Sequence, residues 1–145
     1  MKMMDQAKPP IWFWIVGVIA LLWNGIGLSA YFGQVMMSAE DFAALPEMQQ
    51  DLLAAQPIWF TAAFAIAVFS GFVASVCWLL KKRIAVRLFL VSLLAVIVQF
   101  SGYFILDGYT EQMAAAGWLM PGLIVIFAVV WLLIAQQTEK MGVLR

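Results

Sequence analysis

The sequence predicts an all-α integral membrane protein, a four-helix bundle with both termini on the same side, and three observations carry that prediction. Of the 145 residues, 66% are hydrophobic and only 11% are charged, whereas about a quarter of the residues in a soluble domain carry charge. The apolar residues gather into four runs, at 11–32, 57–80, 84–106 and 117–135, each near the roughly 20 residues that cross about 30 Å of hydrocarbon. The basic residues all lie in segments that a membrane crossed four times would place on one face. Because lipid cannot satisfy backbone polar groups, the runs must be helices or strands of a closed barrel, and their unbroken hydrophobicity lacks the alternation of a barrel strand.

The third observation also orients the chain. Lys2, Lys8, Lys81, Lys82, Arg83, Arg87, Lys140 and Arg145 precede the first run, flank the link between the second and third, or follow the fourth. Glu40, Asp41, Glu47, Asp51, Asp107 and Glu111 occupy the other two links, and only Asp5 and Glu139 lie among the bases. The net charge of zero is therefore about +6 on one face and about −6 on the other. Cytoplasmic loops carry the excess of Lys and Arg, so the expected arrangement has both termini in the cytoplasm, the 33–56 link outside, and the whole chain as one transmembrane domain in the cell's inner membrane. Lys81, Lys82 and Arg83 act as topology anchors, together with Arg87, whose long stem can snorkel back from one turn inside the third span.

In the first span, two lysines precede the apolar run as they would in a signal peptide. The run is longer than the roughly 7 to 15 residues of a signal's apolar region, so the span is expected to be retained. Pro-Ile-Trp-Phe opens this span at Pro10 to Phe13 and recurs at Pro57 to Phe60, where it opens the second. Proline at a helix start and tryptophan at the headgroup level are each expected on physical grounds; the same reasoning places Trp12, Trp14, Trp59, Trp78 and Trp118 at the interfaces.

The first outer link carries a short amphipathic helical segment at about 38–55. Ser38 followed by Glu40 and Asp41 reads as a helix start, Pro46 as a second one, and Phe42, Leu45, Met48, Leu52 and Ala55 recur at helical spacing. The segment is expected to lie on the membrane surface or over the mouth of the bundle.

Each span shows a seam of small or polar residues at a seven-residue period. The second span has Ala63, Ala67, Ser70, Ala74 and Cys77, with Gly71 beside them; the first has Gly17, Ala20, Asn24, Gly27 and Tyr31. The third has Ser92, Ala95, Gln99 and Gly102, and the fourth, more weakly, Gly117, Pro121, Ala128 and Ala135. Small residues let helices approach closely in lipid, so the seams should face inward. Gly25, Ser29 and Gly33 form a four-residue pattern on a neighbouring face of the first span, suited either to a second neighbour within the chain or to dimerisation.

Asn24 and Gln99 are the carboxamides well inside the apolar spans. They lie about 20 and 22 Å from the basic ends of their helices, at 1.5 Å per residue, and so at nearly one depth. They could bond to one another, which is sufficient structural reason for both. The functional alternative is a polar pocket formed with Ser70, Tyr31 and Tyr103 and open to the outer face. No histidine is present, and no Asp, Glu or Lys lies near a span centre, so no proton relay or ion-coupling carboxylate is expected. The single cysteine, Cys77, permits no internal disulfide. With no paired carboxylates, metal-ligand cluster or phosphate-binding loop in the sequence, no enzymatic activity, metal, cofactor or nucleic-acid partner is expected.

Pro9 to Trp14, Leu22-Trp23-Asn24, Ala30-Tyr31, the acidic link ending at Pro57, and Ala62 to Phe69 together give the chain its resemblance to a group of small bacterial four-helix inner-membrane proteins provisionally labelled sugar transporters. That resemblance covers nearly the whole length. It implies a transport-related protein handling a small neutral solute, working as an oligomer because four helices are few to enclose a sugar. The near absence of buried charge points instead to a non-transporting accessory or scaffold subunit of a membrane complex. The expected partners are the lipid bilayer and either further copies of this chain or another membrane protein.

Overall fold

A computed structural model describes residues 7–145; Lys2 and Asp5, which enter the charge count, lie outside them. The described chain is helical in seven segments: α1 (Ile11–Val35), α2 (Ala39–Ala43), α3 (Glu47–Ala55), α4 (Ile58–Leu79), α5 (Ile84–Ile105), α6 (Tyr109–Ala116) and α7 (Leu119–Lys140). Four of them, α1, α4, α5 and α7, are long and apolar enough to cross a membrane, which makes this a multi-pass membrane protein with the four expected spans. The short helices α2, α3 and α6 gather at the end of the bundle that bears the acidic links; the Lys81–Arg83 link and the last five residues form the basic end.

α4 and α5 form a central antiparallel pair, with α1 packed on α4, and α7 and α6 packed on α5. The seam residues bring these helices together. Gly17, Ala20, Ala63, Ala67, Gly71, Ala74, Ala95, Gly102 and Ala135 are all buried, and a Cβ built at Gly71 would clash with Asn24 Oδ1 of α1 and stand 3.0 Å from Ser92 Oγ of α5. Lipid gives no hydrophobic force between spans, so such close approach supplies the dispersion contact that holds them. Ser70 departs from this pattern: it is half-buried, and its hydroxyl turns back to the carbonyl oxygens of Ile66 and Ala67 on its own helix, leaving the adjacent Gly71 at the three-helix contact. The Gly25–Ser29–Gly33 face meets no second neighbour among the described residues. Gly25 has only an ordinary contact with Phe72, Gly33 has open space around it, and Ser29 donates to Gly25 O at 3.0 Å.

The two Pro-Ile-Trp-Phe segments do the same work at opposite ends. Pro10 and Pro57 cap α1 and α4, Phe13 and Phe60 are buried, and Trp12 and Trp59 are partly exposed. Phe13 N donates to Pro10 O and Phe60 N to Pro57 O, at 3.0 and 3.1 Å. The repetition therefore reflects a shared way of starting a helix with an inward phenylalanine. Trp78 corrects the expectation of an interfacial ring. It is 1% exposed, packed on Phe13 at 4.6 Å, and its indole N–H donates to Thr138 Oγ1 of α7 at 2.8 Å.

The basic end is closed by two matching helix stops. Lys81 N donates to Trp78 O and Lys82 N to Cys77 O, both at 2.8 Å, while Gly142 N donates to Glu139 O at 3.0 Å and Val143 N to Thr138 O at 3.1 Å. Both are Schellman motifs, whose turning residue must be left-handed; it is Gly142 in α7, but Lys81, with φ 60, in α4. The tail then folds back on the link: Arg145 N donates to Lys81 O and Arg83 N to Arg145 O, both at 2.7 Å, and Arg83 Nε reaches Leu144 O at 3.4 Å. Val143 and Leu144, each 1% exposed, join Phe13, Trp78, Phe89, Trp131 and Leu132 in one core cluster. Lys81, Lys82, Arg83 and Arg87 all belong to this end.

The spans depart from expectation at their margins. α1 runs one turn longer, to Val35, and α7 is shifted to Leu119–Lys140, with Gly117 left in the connection before it at φ 94. α6 has no counterpart in the sequence reading, which left 107–116 as a simple link. The 38–55 segment divides at 44–46 into α2 and α3. Ser38 caps α2 as expected, accepting from Asp41 N at 3.0 Å. Pro46 holds the N-cap of α3.

Thr138→Val, which preserves shape but strands the Trp78 N–H, is expected to lower stability by about 1 to 2 kcal/mol, read by denaturant titration in mixed micelles. Lys81→Gly relieves the left-handed strain and is expected to raise stability by about 0.5 to 1 kcal/mol in the same titration.

Candidate functional site

At the acidic end the four spans part around a cavity of about 440 Å³. Its walls come from all of the spans: Trp23, Asn24 and Gln34 of α1, Phe60 and Phe64 of α4, Ser92, Gln99 and Tyr103 of α5, and Met120, Ile124 and Trp131 of α7. Gln49 and Leu52 of α3, Gln56, and Tyr109 and Gln112 of α6 cover it. Leu52 and Tyr109 are buried there with Phe60, while Glu40, Asp41, Glu47, Asp51, Asp107 and Glu111 are all exposed. The amphipathic segment thus lies over the mouth. Of its expected apolar stripe only Leu52 is fully buried; Met48 and Ala55 are exposed, because the break at 44–46 resets the helical phase.

Gln56 is the junction of this cover. Its Oε1 accepts from Gln34 Nε2 at 3.4 Å and from the Tyr109 hydroxyl at 3.3 Å, and its Nε2 donates to Thr61 Oγ1 at 2.6 Å. The Tyr109 hydroxyl also reaches Leu52 O at 3.1 Å. Burial, and after it the neighbouring Tyr103, raises the Tyr109 phenol above its ordinary value of 10.0. It therefore stays protonated, its one O–H shared between the two oxygens.

Asn24 and Gln99 both line the cavity, as expected, but they do not bond to each other. Asn24 Nδ2 donates to Ala20 O at 2.8 Å and to Ser75 Oγ at 3.1 Å, and Ser75 Oγ donates in turn to Gly71 O at 2.9 Å. The missing side chain at Gly71 draws the amide onto α4. Gln99, a helix away, makes no side-chain hydrogen bond within the described residues and faces the cavity, as do Gln49 and Gln112. Tyr103 also lines it, whereas Tyr31 and Ser70 do not. Tyr31 is held in an aromatic cluster with Phe32, Phe64 and Phe69, at centroid distances of 5.5 to 5.8 Å.

At the deep end, Trp23 meets Phe127 at 4.5 Å and Phe127 stacks on Trp131 at 5.5 Å and 15°. Trp131 is 6% exposed, and its indole N–H has no hydrogen-bond partner among the described residues. A buried donor left unmade costs about 1 to 3 kcal/mol, and the Trp131 nitrogen, with essentially no accessible surface, is closed off from the cavity that its ring lines. Sequence reasoning did not find Gln34, Gln56, Gln112 and Tyr109 as site residues: Gln34 lies beyond the expected end of the first span, in the last turn of α1, and the others lie on or beside α3 and α6, too short for periodicity to fix their phase.

The lining is therefore carboxamides, phenols, one serine and aromatic or aliphatic walls, with no charged side chain. Amides and hydroxyls both donate and accept, which suits hydroxyl or carbonyl groups. A charged ligand would lose its hydration with no counter-ion to replace it. Comparison with protein-family models, curated proteins and solved structures returns no match.

The cavity's wetness can be read chemically. In a Cys77→Ala background, Gln99→Cys is expected to react with a small water-soluble maleimide. Val98→Cys, on the exposed outer surface of α5, is expected to stay protected in a bilayer.

Proposed function

We propose that this chain is a non-catalytic inner-membrane protein that binds a small uncharged polar solute in the cavity beneath α3 and α6, as part of its transport. The observation that carries the reading is the lining itself: carboxamide groups at Gln49, Gln99 and Gln112 that make no side-chain hydrogen bond among the described residues, with no ionisable carboxylate or amine beside them. A volume of about 440 Å³ falls in the usual range of ligand pockets, about 300 to 1,000 Å³. The residues that line this space all come from one chain. The bias of Lys and Arg supports placing the basic end in the cytoplasm, and the cavity then opens away from it. The resemblance to the provisionally labelled sugar transporters favours the same solute class.

The rival reading, an accessory subunit, draws support from the exposed Ser29 and Gly33 surface of α1, which no helix of the chain covers.

Gln99→Leu separates the two because Gln99 holds no structural bond. Losing one amide hydrogen bond of about 1 to 1.5 kcal/mol should weaken solute binding about 5- to 10-fold. Uptake of labelled neutral sugars into proteoliposomes is expected for the native chain and is expected to fall by that factor in Gln99→Leu. Asn24→Leu should lose stability as well, through Ser75. If the native chain takes up no neutral sugar, the transport reading is wrong.

A further inference from the structure

The cavity is not sealed from the side. α1 packs on α4, and α7 on α5, but α1 and α7 meet only sparsely, and the ring contact between Trp23 and Phe127 at 4.5 Å bridges them near mid-span. α1 runs toward the acidic end and α7 away from it, so residues after Trp23 and before Phe127 lie on the acidic side of that bridge. On that side Ile26 and Ala30 of α1 and Met120 and Ile124 of α7 line the cavity, yet Ile26, Met120 and Ile124 are 65%, 57% and 38% exposed, and Ala30 is exposed as well. A side chain that both lines a cavity and faces the surroundings of a membrane span stands at an opening toward lipid. The rim is wholly apolar. Behind it lie the carboxamides of Gln34, Gln56, Gln99 and Gln112 and the phenols of Tyr103 and Tyr109.

From this arrangement we propose that the occupant is a membrane-dissolved amphiphile that enters sideways between α1 and α7, its uncharged hydroxyl- or carbonyl-bearing head among the glutamines and tyrosines and its apolar tail in the gap. The proposal rests on reading the cavity as a site for a neutral polar group, and narrows it by chemistry and by route. A polar solute without a tail would leave the apolar rim open to lipid and gain nothing from it. A tail that comes from lipid fills that rim with dispersion contacts and brings no polar group that would need hydration there. An anionic or cationic head finds no counter-charge in the lining and would be desolvated at a cost.

The test uses the full chain in phosphatidylcholine nanodiscs with a monoacylglycerol that carries a photoreactive diazirine in its acyl chain. Labelling is expected to saturate, to map to Ile26, Ala30, Met120 or Ile124, and to be displaced by unlabelled monoacylglycerol but not by the fatty acid of the same chain length. Ala30→Trp or Ile124→Trp, each placing an indole in the gap, is expected to lower labelling several-fold, while Val18→Trp, exposed on α1 but outside the cavity lining, is not. Labelling that rises without saturation, or that ignores both gap substitutions, would mean bulk lipid only and would overturn the proposal. Equilibrium dialysis with glucose, run on the same preparations, separates the two ideas. If glucose binds and Gln99→Leu weakens it while the lipid probe fails to saturate, lateral entry is wrong and the neutral-solute reading stands. If neither ligand binds, both fail.

Discussion

Three helices meet at Gly71, and the rest of the bundle depends on the absence of a side chain there. The space a Cβ would need is taken from one side by the Asn24 amide and approached from the other by the Ser92 hydroxyl. Ser92 donates to Ala67 O at 2.7 Å, one turn earlier on the same helix. The polar groups of α1 and α5 are thus satisfied against α4 at the point of closest approach, where lipid could not satisfy them. The cavity begins at this level, where Asn24 and Ser92 line it, and reaches α3 and α6, which cover it.

The two halves of the bundle differ in how they are filled. Toward the basic end, large rings and the returning tail pack one continuous core, in which Trp78 and Thr138 bridge α4 and α7. Toward the acidic end, polar side chains face inward and several keep unused hydrogen-bonding capacity. Native interiors satisfy nearly all of their buried polar groups, so the amides of Gln49, Gln99 and Gln112, which face the cavity without a side-chain hydrogen bond among the described residues, mark a place where packing has been given up for something else. The cover contrasts with the floor: Gln56 uses both amide atoms and the single Tyr109 O–H is shared between two acceptors, which fixes α3 and α6 to the spans they overlie.

Much of this was legible in the sequence because lipid imposes simple rules. Apolar length gave the four spans, and small residues at Ala20, Ala63, Ala67, Ala74 and Ala95 marked inward faces. The site was legible in part. Asn24, Gln99 and Tyr103 stood out as polar groups in apolar surroundings, but their partners did not. Equal depth suggested a bond between Asn24 and Gln99, whereas depth says nothing of which way each amide points around its helix, and the gap at Gly71 decided that for Asn24. Ser70 and Gly71 differ by one residue, about 100° of helix, enough to send one hydroxyl to its own backbone and put the other position at the core. α6 escaped notice because its eight residues, Tyr109–Ala116, make only about two turns, too few for a periodicity to register, and it is held by Tyr109, whose burial depends on α3.

The row in which the spans pack also bears on how the chain is made. α1 lies on α4, α4 on α5 and α5 on α7, so each span finds its main partner in the one inserted immediately before or after it. Interactions between elements close in sequence form quickly and need little waiting in an unpaired state. A growing chain can therefore assemble its helices in order of synthesis. The pairing of Arg145 with Lys81 and Arg83 joins segments about two spans apart and can form only after α7 has been made, so it acts as a fastening on a bundle already in place.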